Sequence, residues 1–234
     1  MKGKVSKNKF LKVVLPALLV VAIICQAVGF QAVLAKGNVA TTSSDSISNL
    51  TDQQLQALTN PILQSYKADS SHKVWKMTND SRLAVLANQT NIENARLQEV
   101  VKLVNSEFVE KEIISSPLAM VYAQEKDVSY GDILIDIDQT SSITSSSNSK
   151  EAYKITIGEN GVRLTGASEN AIMHGLRTIQ NLIITNDGLV YGEIVDYPNV
   201  AERRVHVDCA RKYISKDWFI RQIREMSYMK MNAL

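Results

Sequence analysis

Cysteine is almost missing from this chain: Cys25 and Cys209 are the only two in 234 residues. Cys25 falls inside an apolar leader, and Ile24 occupies the place where a lipoprotein signal needs a small residue. Removal of that leader leaves one thiol, which excludes an intramolecular disulfide. Histidine is equally scarce. His72, His174 and His206 lack the spacing of metal ligands, so the sequence carries no recognisable metal motif and implies no cofactor. An excess of positive charge is also missing once the leader is set aside. The formal charge of +2 depends on five lysines before residue 13, and residues 36–234 alone carry a net −3. That excludes the basic surface a nucleic-acid-binding protein needs. No internal repeat is visible.

What is present begins with a targeting segment. Lys2, Lys4, Lys7, Lys9 and Lys12 precede an apolar run from Val13 to Val28, and Val33-Leu34-Ala35 fits a small-residue cleavage site. Residues 1–35 therefore read as a signal peptide cleaved after Ala35. An uncleaved anchor is the rival, because the run is long for a signal, and it is the one route to a membrane. Residues 36–73 read as a Ser/Thr/Asn-rich spacer with a helix over Asp52 to Tyr66, and residues 74–195 as an α/β domain. Strands are expected at Ser81 to Ala87, Leu118 to Tyr122, Asp132 to Asp138, Tyr153 to Ile157, Val162 to Leu164 and Leu189 to Val195. Thr140 to Ser149 reads as a Ser-rich loop. Asn91 to Phe108 shows an amphipathic helix, with Leu97, Val100, Val101, Val104 and Phe108 on one face. Ser168 is a helix cap ahead of a stripe of Ile172, Leu176, Ile179 and Ile183.

The end of the chain carries the most information. Val205 and Val207 alternate with His206 and Asp208, as in a short strand. Cys209 to Ile214 reads as a loop, Ser215 as an N-cap, and Asp217 as a first-turn carboxylate. Phe219, Ile220, Ile223 and Met226 then recur at helical spacing. This is the order of the first strand, loop and helix of a (β/α)₈ barrel, in which the chemistry sits at strand ends and the loops after them. The expected fold is thus α/β: an α+β sandwich domain followed, over residues 196–234, by the first βα unit of an incomplete TIM barrel, ending where a second strand is due.

The motifs in this segment resemble glycoside hydrolase family 20, the β-N-acetylhexosaminidases and lacto-N-biosidases. They are Asp196-Tyr-Pro198, Arg203, Val205 to Val207, Asp208-Cys-Ala-Arg211 and Lys230-Met-Asn232. Arg204 stands where many members carry glycine, which is more like the lacto-N-biosidase branch. Upstream, Gly161-Val-Arg-Leu-Thr-Gly166 and the run from Ser168 through Gln180 resemble the signature of the family's non-catalytic α/β domain. The resemblance implies a partner glycan containing N-acetylhexosamine and a substrate-assisted hydrolysis, in which the 2-acetamido oxygen attacks the anomeric carbon. A Glu protonates the leaving oxygen and the preceding Asp orients the acetamido group. These 234 residues contain no adjacent Asp-Glu pair, so no catalytic residue is assigned in this chain. Arg203 is the one residue carried over, as a ligand of sugar hydroxyls, since a planar guanidinium offers several fixed donors to vicinal oxygens. A surface arginine is its plainer reading.

Asp208 and Arg211 match family positions, and an ion pair bracing the first loop explains them equally well. Asp132, Asp136 and Asp138 alternate with isoleucines and read as the wet face of a half-buried strand rather than as metal ligands. His206 reads as a packing or supporting residue of the barrel strand, and Cys209 as a buried structural thiol. Two functions from different classes follow: the N-terminal part of a secreted hexosaminidase-like glycosidase, inactive as it stands, or a secreted non-catalytic α/β module for binding or packing. A membrane-anchored α/β protein unrelated to sugars is the third. The leader yields a direct expectation: mass spectrometry of protein recovered from the medium finds an N-terminus at Lys36, and mature protein that retains residues 1–35 would contradict it.

Overall fold

A computed structural model describes residues 47–138, 143 and 149–234. The expected signal segment, its cleavage point and most of the Ser-rich loop at 140–149 lie outside the described residues. The first helix, α1 (Asp52–Gln56), starts at a capping box in which the Thr51 side chain accepts from the Gln54 amide and the Gln54 side chain accepts from Thr51. It buries Leu55 and ends after five residues. The helix expected as far as Tyr66 is therefore corrected. Pro61 has no amide to donate and biases the residue before it away from helical angles. The chain turns back, with the Leu63 amide donating to the Gln56 carbonyl, and resumes as strand β1 (Ser65–Ala68).

The elements that follow are β2 (Val74–Trp75), β3 (Arg82–Leu86), α2 (Gln89–Ile92), α3 (Ala95–Glu110), β4 (Ala119–Ala123), β5 (Ile133–Ile137), β6 (Tyr153–Gly158) and β7 (Gly161–Gly166). Then come α4 (Glu169–Asn186), β8 (Leu189–Val190), β9 (Gly192–Asp196) and α5 (Lys216–Tyr228). Seven strands form one mixed sheet in the order β1-β9-β6-β7-β5-β3-β4, and β2 pairs with β8 apart from it. β3, β4, β5 and β7 run parallel, whereas β6 pairs antiparallel with both β7 and β9. Thus β1, from the stretch read as spacer, is an edge strand of the main sheet.

The expected helix over Asn91 to Phe108 is divided at Glu93 and Asn94. The Asn88 side chain caps α2, and the Asn94 side chain accepts from the Leu97 amide to begin α3. From there the pattern holds, with Leu97, Val101, Val104 and Phe108 in the core and Val100 half-buried against it. α4 begins at Ser168 as its sequence indicates, and Ile172, Leu176, Ile179 and Ile183 are all buried. These two stripes share one core with Leu83, Val85, Ile133, Ile135, Ile155 and Leu164 of the sheet. The layer of helices on a sheet is the arrangement that buries both kinds of apolar face.

Asp132, just before β5, and Asp136 within it are buried rather than on a wet face, whereas Asp138 is half-buried. Asp132 is 1% exposed and takes two hydrogen bonds from Arg82, at 2.9 Å from Nε and 2.5 Å from Nη2. Burial pushes its carboxyl up, but the Arg82 guanidinium and the Ser129 donors outweigh that and hold it at about 2. Asp136 accepts from Asn88, Asn91 and Arg163. Alternation alone cannot tell a solvated carboxylate from one matched by an arginine on the neighbouring strand. Among the described residues, no group of three or more His, Cys, Asp or Glu is placed to hold a metal ion.

Two further expectations change. The strand over Leu189 to Val195 is two strands in two sheets, with Tyr191 between them. Gly192 makes the switch, at φ +147, and a Cβ there would lie 2.1 Å from the Lys67 carbonyl oxygen. The barrel strand expected at Val205 to Val207 is not formed. A single parallel bridge joins Arg204 to Ala233, Val205 and Val207 are half-buried, and His206 and Cys209 are exposed. A parallel strand is normally covered on both faces, and here, among the described residues, the backbone bonds of this segment run to Asn232 and Ala233 beyond α5. Cys209 is therefore not a buried thiol, nor does His206 pack in a core. The helix after it does form: Ser215 caps α5, and Met226 is buried while Ile220 and Ile223 face outward. No helix among the described residues is long and apolar enough to cross a membrane.

Gly192→Ala tests the switch between the two sheets. A methyl group at that position meets backbone, so overpacking adds to the strained φ, and a loss of about 3 kcal/mol is expected. Urea unfolding that shows an unchanged midpoint would contradict the close approach.

Candidate functional site

Strand β9 ends on Asp196, and α5 ends just before Lys230. Asp196 and Lys230 are both buried, and Lys230 Nζ lies 2.8 Å from Asp196 Oδ2. The Lys230 backbone has left the helix at φ +55, which turns its side chain back toward the sheet. Tyr153, the first residue of β6, completes the cluster. Its hydroxyl donates to Asp196 Oδ2 at 2.6 Å and accepts from Lys230 Nζ at 2.7 Å, with Thr178 of α4 at 2.5 Å. The Gln64 amide donates to the other Asp196 oxygen at 3.2 Å. Burial pushes the Lys230 ammonium pKa down while Asp196 pulls it back up. Burial and the adjacent Asp196 charge both push the Tyr153 hydroxyl up.

Arg203 lies beside this cluster. Its Nε donates to the Lys230 carbonyl at 2.7 Å, its Nη1 to the Val200 carbonyl at 2.8 Å and the Ala201 carbonyl at 3.5 Å, and its Nη2 to Glu151 Oε2 at 2.5 Å. A guanidinium has five N–H donors, so one Nη2 hydrogen has no partner among the described residues. Glu151 sits just before β6, and its other oxygen, Oε1, is 3.9 Å from Nε2 of buried His174. That distance is too long for a hydrogen bond. The His174 imidazole and the Arg203 guanidinium, against the effect of burial, hold the Glu151 carboxyl at about 2. These side chains line a cavity of about 270 Å³. Pro61, Ile62 and Val200 supply apolar wall, and Asp196, Arg203 and Lys230 supply polar groups. A small cavity with an apolar wall and a few fixed donors and acceptors is the usual form of a ligand site.

Of the residues singled out from sequence, Arg203 is in this cavity. Asp208 and Arg211 are exposed on the loop that follows and do not line it. Asp208 Oδ1 accepts from the Ala210 amide at 2.8 Å, and no ion pair joins it to Arg211. Sequence reasoning assigned no role to Glu151, Tyr153, His174, Asp196 or Lys230. Asp196 and Lys230 did stand out as parts of motifs, and a buried partner is the physical reason for a charge at each. Glu151 and Tyr153 are two residues apart at a strand start, hence on one face, which was the available signal.

The family model for glycosyl hydrolase family 20, domain 2, matches residues 58–197. The chain belongs to this family. The match covers the sheet and its helices and stops at Tyr197, six residues before Arg203. Beta-hexosaminidase B of Pseudoalteromonas piscicida is 31% identical over 83 residues, which are 35% of this chain and 11% of that protein. A beta-hexosaminidase of Vibrio vulnificus is 26% identical over 88 residues, 37% of this chain and 10% of that protein. The chain thus spans about a tenth of the curated relatives it matches. Among solved structures, the Flavobacterium johnsoniae chitobiase overlays 78% of this chain and 27% of its own, with TM-score 0.60 and 18% identity. The Streptomyces plicatus N-acetyl-beta-hexosaminidase, solved with Thio-NAglucal, overlays 78% of this chain and 34% of its own, with TM-score 0.60 and 16% identity. At such identities the overlays speak for the fold.

The buried pair supports a double-mutant test. Asp196→Asn alone strands the Lys230 ammonium and is expected to cost about 3 kcal/mol, whereas Asp196→Asn with Lys230→Met recovers most of the loss. Additive costs in urea unfolding would show that the two residues do not act as a pair.

Proposed function

We propose that this chain is the N-terminal part of a secreted glycosidase that releases β-linked N-acetylhexosamine, or lacto-N-biose-type units, by substrate-assisted hydrolysis. The observation that carries the reading is Arg203, held by four protein acceptors at a cavity wall beside two motifs of the family. Its second Nη2 hydrogen and the adjacent Glu151 carboxylate offer one donor and one acceptor to neighbouring sugar hydroxyls. A hydroxyl pair can satisfy both at once, which a lone guanidinium does less selectively.

Arg203 binds but does not protonate, because a guanidinium keeps its proton at any ordinary pH. The leaving oxygen needs a carboxylic acid with a raised pKa placed against it. Glu151 is held near 2 and is paired with Arg203, so it is a poor acid for that step. With no Asp-Glu pair in the 234 residues, this reading assigns proton donation and acetamido orientation to a barrel that the described residues do not form. The outward Ile220 and Ile223 of α5 suit it, since a barrel helix packs against neighbouring helices and strands.

Two polypeptides test the proposal with a chromogenic N-acetylglucosaminide: the 234-residue chain, and a longer one continued through a barrel that carries an Asp-Glu pair. Only the longer form is expected to turn over, and Arg203→Ala should lower its kcat/KM by about a hundredfold. Clear turnover by the 234 residues, abolished by Arg203→Ala, would refute the assignment of the acid elsewhere. Sugar binding without turnover in either form would instead favour a non-catalytic binding module.

A further inference from the structure

We infer that Glu151, backed by His174, is the positioning residue of Arg203: the sheet domain sets the orientation of the guanidinium that, on the reading above, meets the sugar. The inference rests on that reading for its functional consequence and on geometry for its substance. Three of the four acceptors on Arg203 are backbone carbonyls of Val200, Ala201 and Lys230. The Val200 and Ala201 carbonyls hold Nη1 from three and two residues before Arg203 and move with it, whereas the Lys230 carbonyl holds Nε from just beyond α5. Among the described residues, Nη2 donates to Glu151 alone and keeps its other hydrogen unpartnered. Glu151 comes from 52 residues earlier in sequence, at the entry to the central strand β6.

The carboxylate is itself fixed. Its backbone amide donates to the Ser149 hydroxyl at 3.1 Å, and its side chain is only 16% exposed. Oε1 faces His174 from α4, and Oε2 faces Arg203, so the two oxygens span from the helix layer to the cavity. His174 Nδ1 is buried and has no hydrogen-bond partner among the described residues, which leaves the other ring nitrogen, toward Glu151, as its one polar contact. The Arg203–Glu151 hydrogen bond is charge-assisted, and such a bond fixes direction as well as distance. The sheet domain therefore reaches Arg203 Nη2 through one carboxylate. Without Glu151, the planar guanidinium keeps only neutral carbonyl acceptors at Nε and Nη1 and loses the charged partner at Nη2, so it is held less firmly and its hydrogens exchange faster.

The test uses the whole 234-residue chain labelled with nitrogen-15. The Arg203 guanidinium resonances are assigned by their loss in Arg203→Lys. In the unaltered chain, Arg203 should show resolved Nη signals with slow hydrogen exchange. Glu151→Gln, which keeps the shape and removes the charge, should accelerate that exchange by about tenfold or more, with backbone amide signals and urea midpoint showing the fold retained. If Glu151→Gln fails to fold, His174→Gln is expected to act in the same direction with a smaller effect. Unchanged Arg203 exchange in a folded variant of either kind overturns the inference. Adding N-acetylglucosamine separates it from the functional reading. Arg203 mobilised by the variant but unresponsive to sugar supports the positioning role and overturns the sugar contact. Arg203 responsive to sugar to the same degree in both the unaltered chain and Glu151→Gln supports the sugar contact and overturns the positioning role.

Discussion

The structure around the cavity depends on one buried ion pair, Asp196 with Lys230. Taking two such charges out of water carries a penalty of several kcal/mol for each, and their attraction offsets it only when the remaining hydrogen-bonding capacity is filled. Here most of it is filled: Tyr153 donates to the carboxylate and accepts from the ammonium, whose second hydrogen goes to Asp196 itself, and the Gln64 amide occupies the second carboxylate oxygen. The pair joins the last strand of the sheet to the end of α5, two elements that share no ladder. It places the Lys230 carbonyl where Arg203 can donate to it. A second clamp acts at the other side of α4. Arg177 pairs with Glu107 of α3 and lies 3.8 Å from the Tyr228 ring centroid, while Lys111 covers the same ring at 4.2 Å. Together the two clamps hold α5 against the helix layer although much of its apolar surface faces outward.

The sheet divides its two faces by chemistry. One face presents Leu83, Val85, Ile133, Ile135, Ile155 and Leu164 to α3 and α4 and makes the main core. The other carries a small apolar patch of Ala84, Ala123 and Leu134 bordered by arginine–aspartate pairs across neighbouring strands. Those pairs keep β5 fully buried without a second layer of helices among the described residues. Burial raises the Glu107 carboxyl despite its arginine, whereas Asp132 is lowered because Ser129 donors add to Arg82. The contrast shows that a nearby guanidinium does not decide a carboxylate's acidity by itself; the number of donors against the degree of burial does.

The family assignment rests on the sheet domain, which supplies Gln64, Glu151, Tyr153, His174 and Asp196 to the cavity, while Arg203 and Lys230 lie beyond the matched stretch. The domain and the site nevertheless meet in Tyr153, Thr178 and Glu151, so the fold that identifies the family also shapes the cavity. Arg203 is legible from sequence as a motif residue. Its partners are not, because Glu151 is 52 residues away and Lys230 is 27 residues away, and no periodicity relates such positions.

Local rules determined much of this protein from sequence alone. The α4 cap at Ser168 and its stripe, the stripe of α3, the α5 cap at Ser215 and the approximate positions of most strands of the main sheet follow from patterns a few residues long. Tertiary structure decided the rest. It broke the expected helix after Gln56 and drew β1 into the sheet, split the 189–195 strand at Gly192, buried Asp132 and Asp136 against arginines, and left Val205 to Val207 outside any ladder. The physical reason is common to all of these. Helix caps and amphipathic stripes are satisfied by neighbours in sequence, whereas a strand's hydrogen bonds and a buried charge's counter-ion come from residues far along the chain, and only the folded chain brings those together.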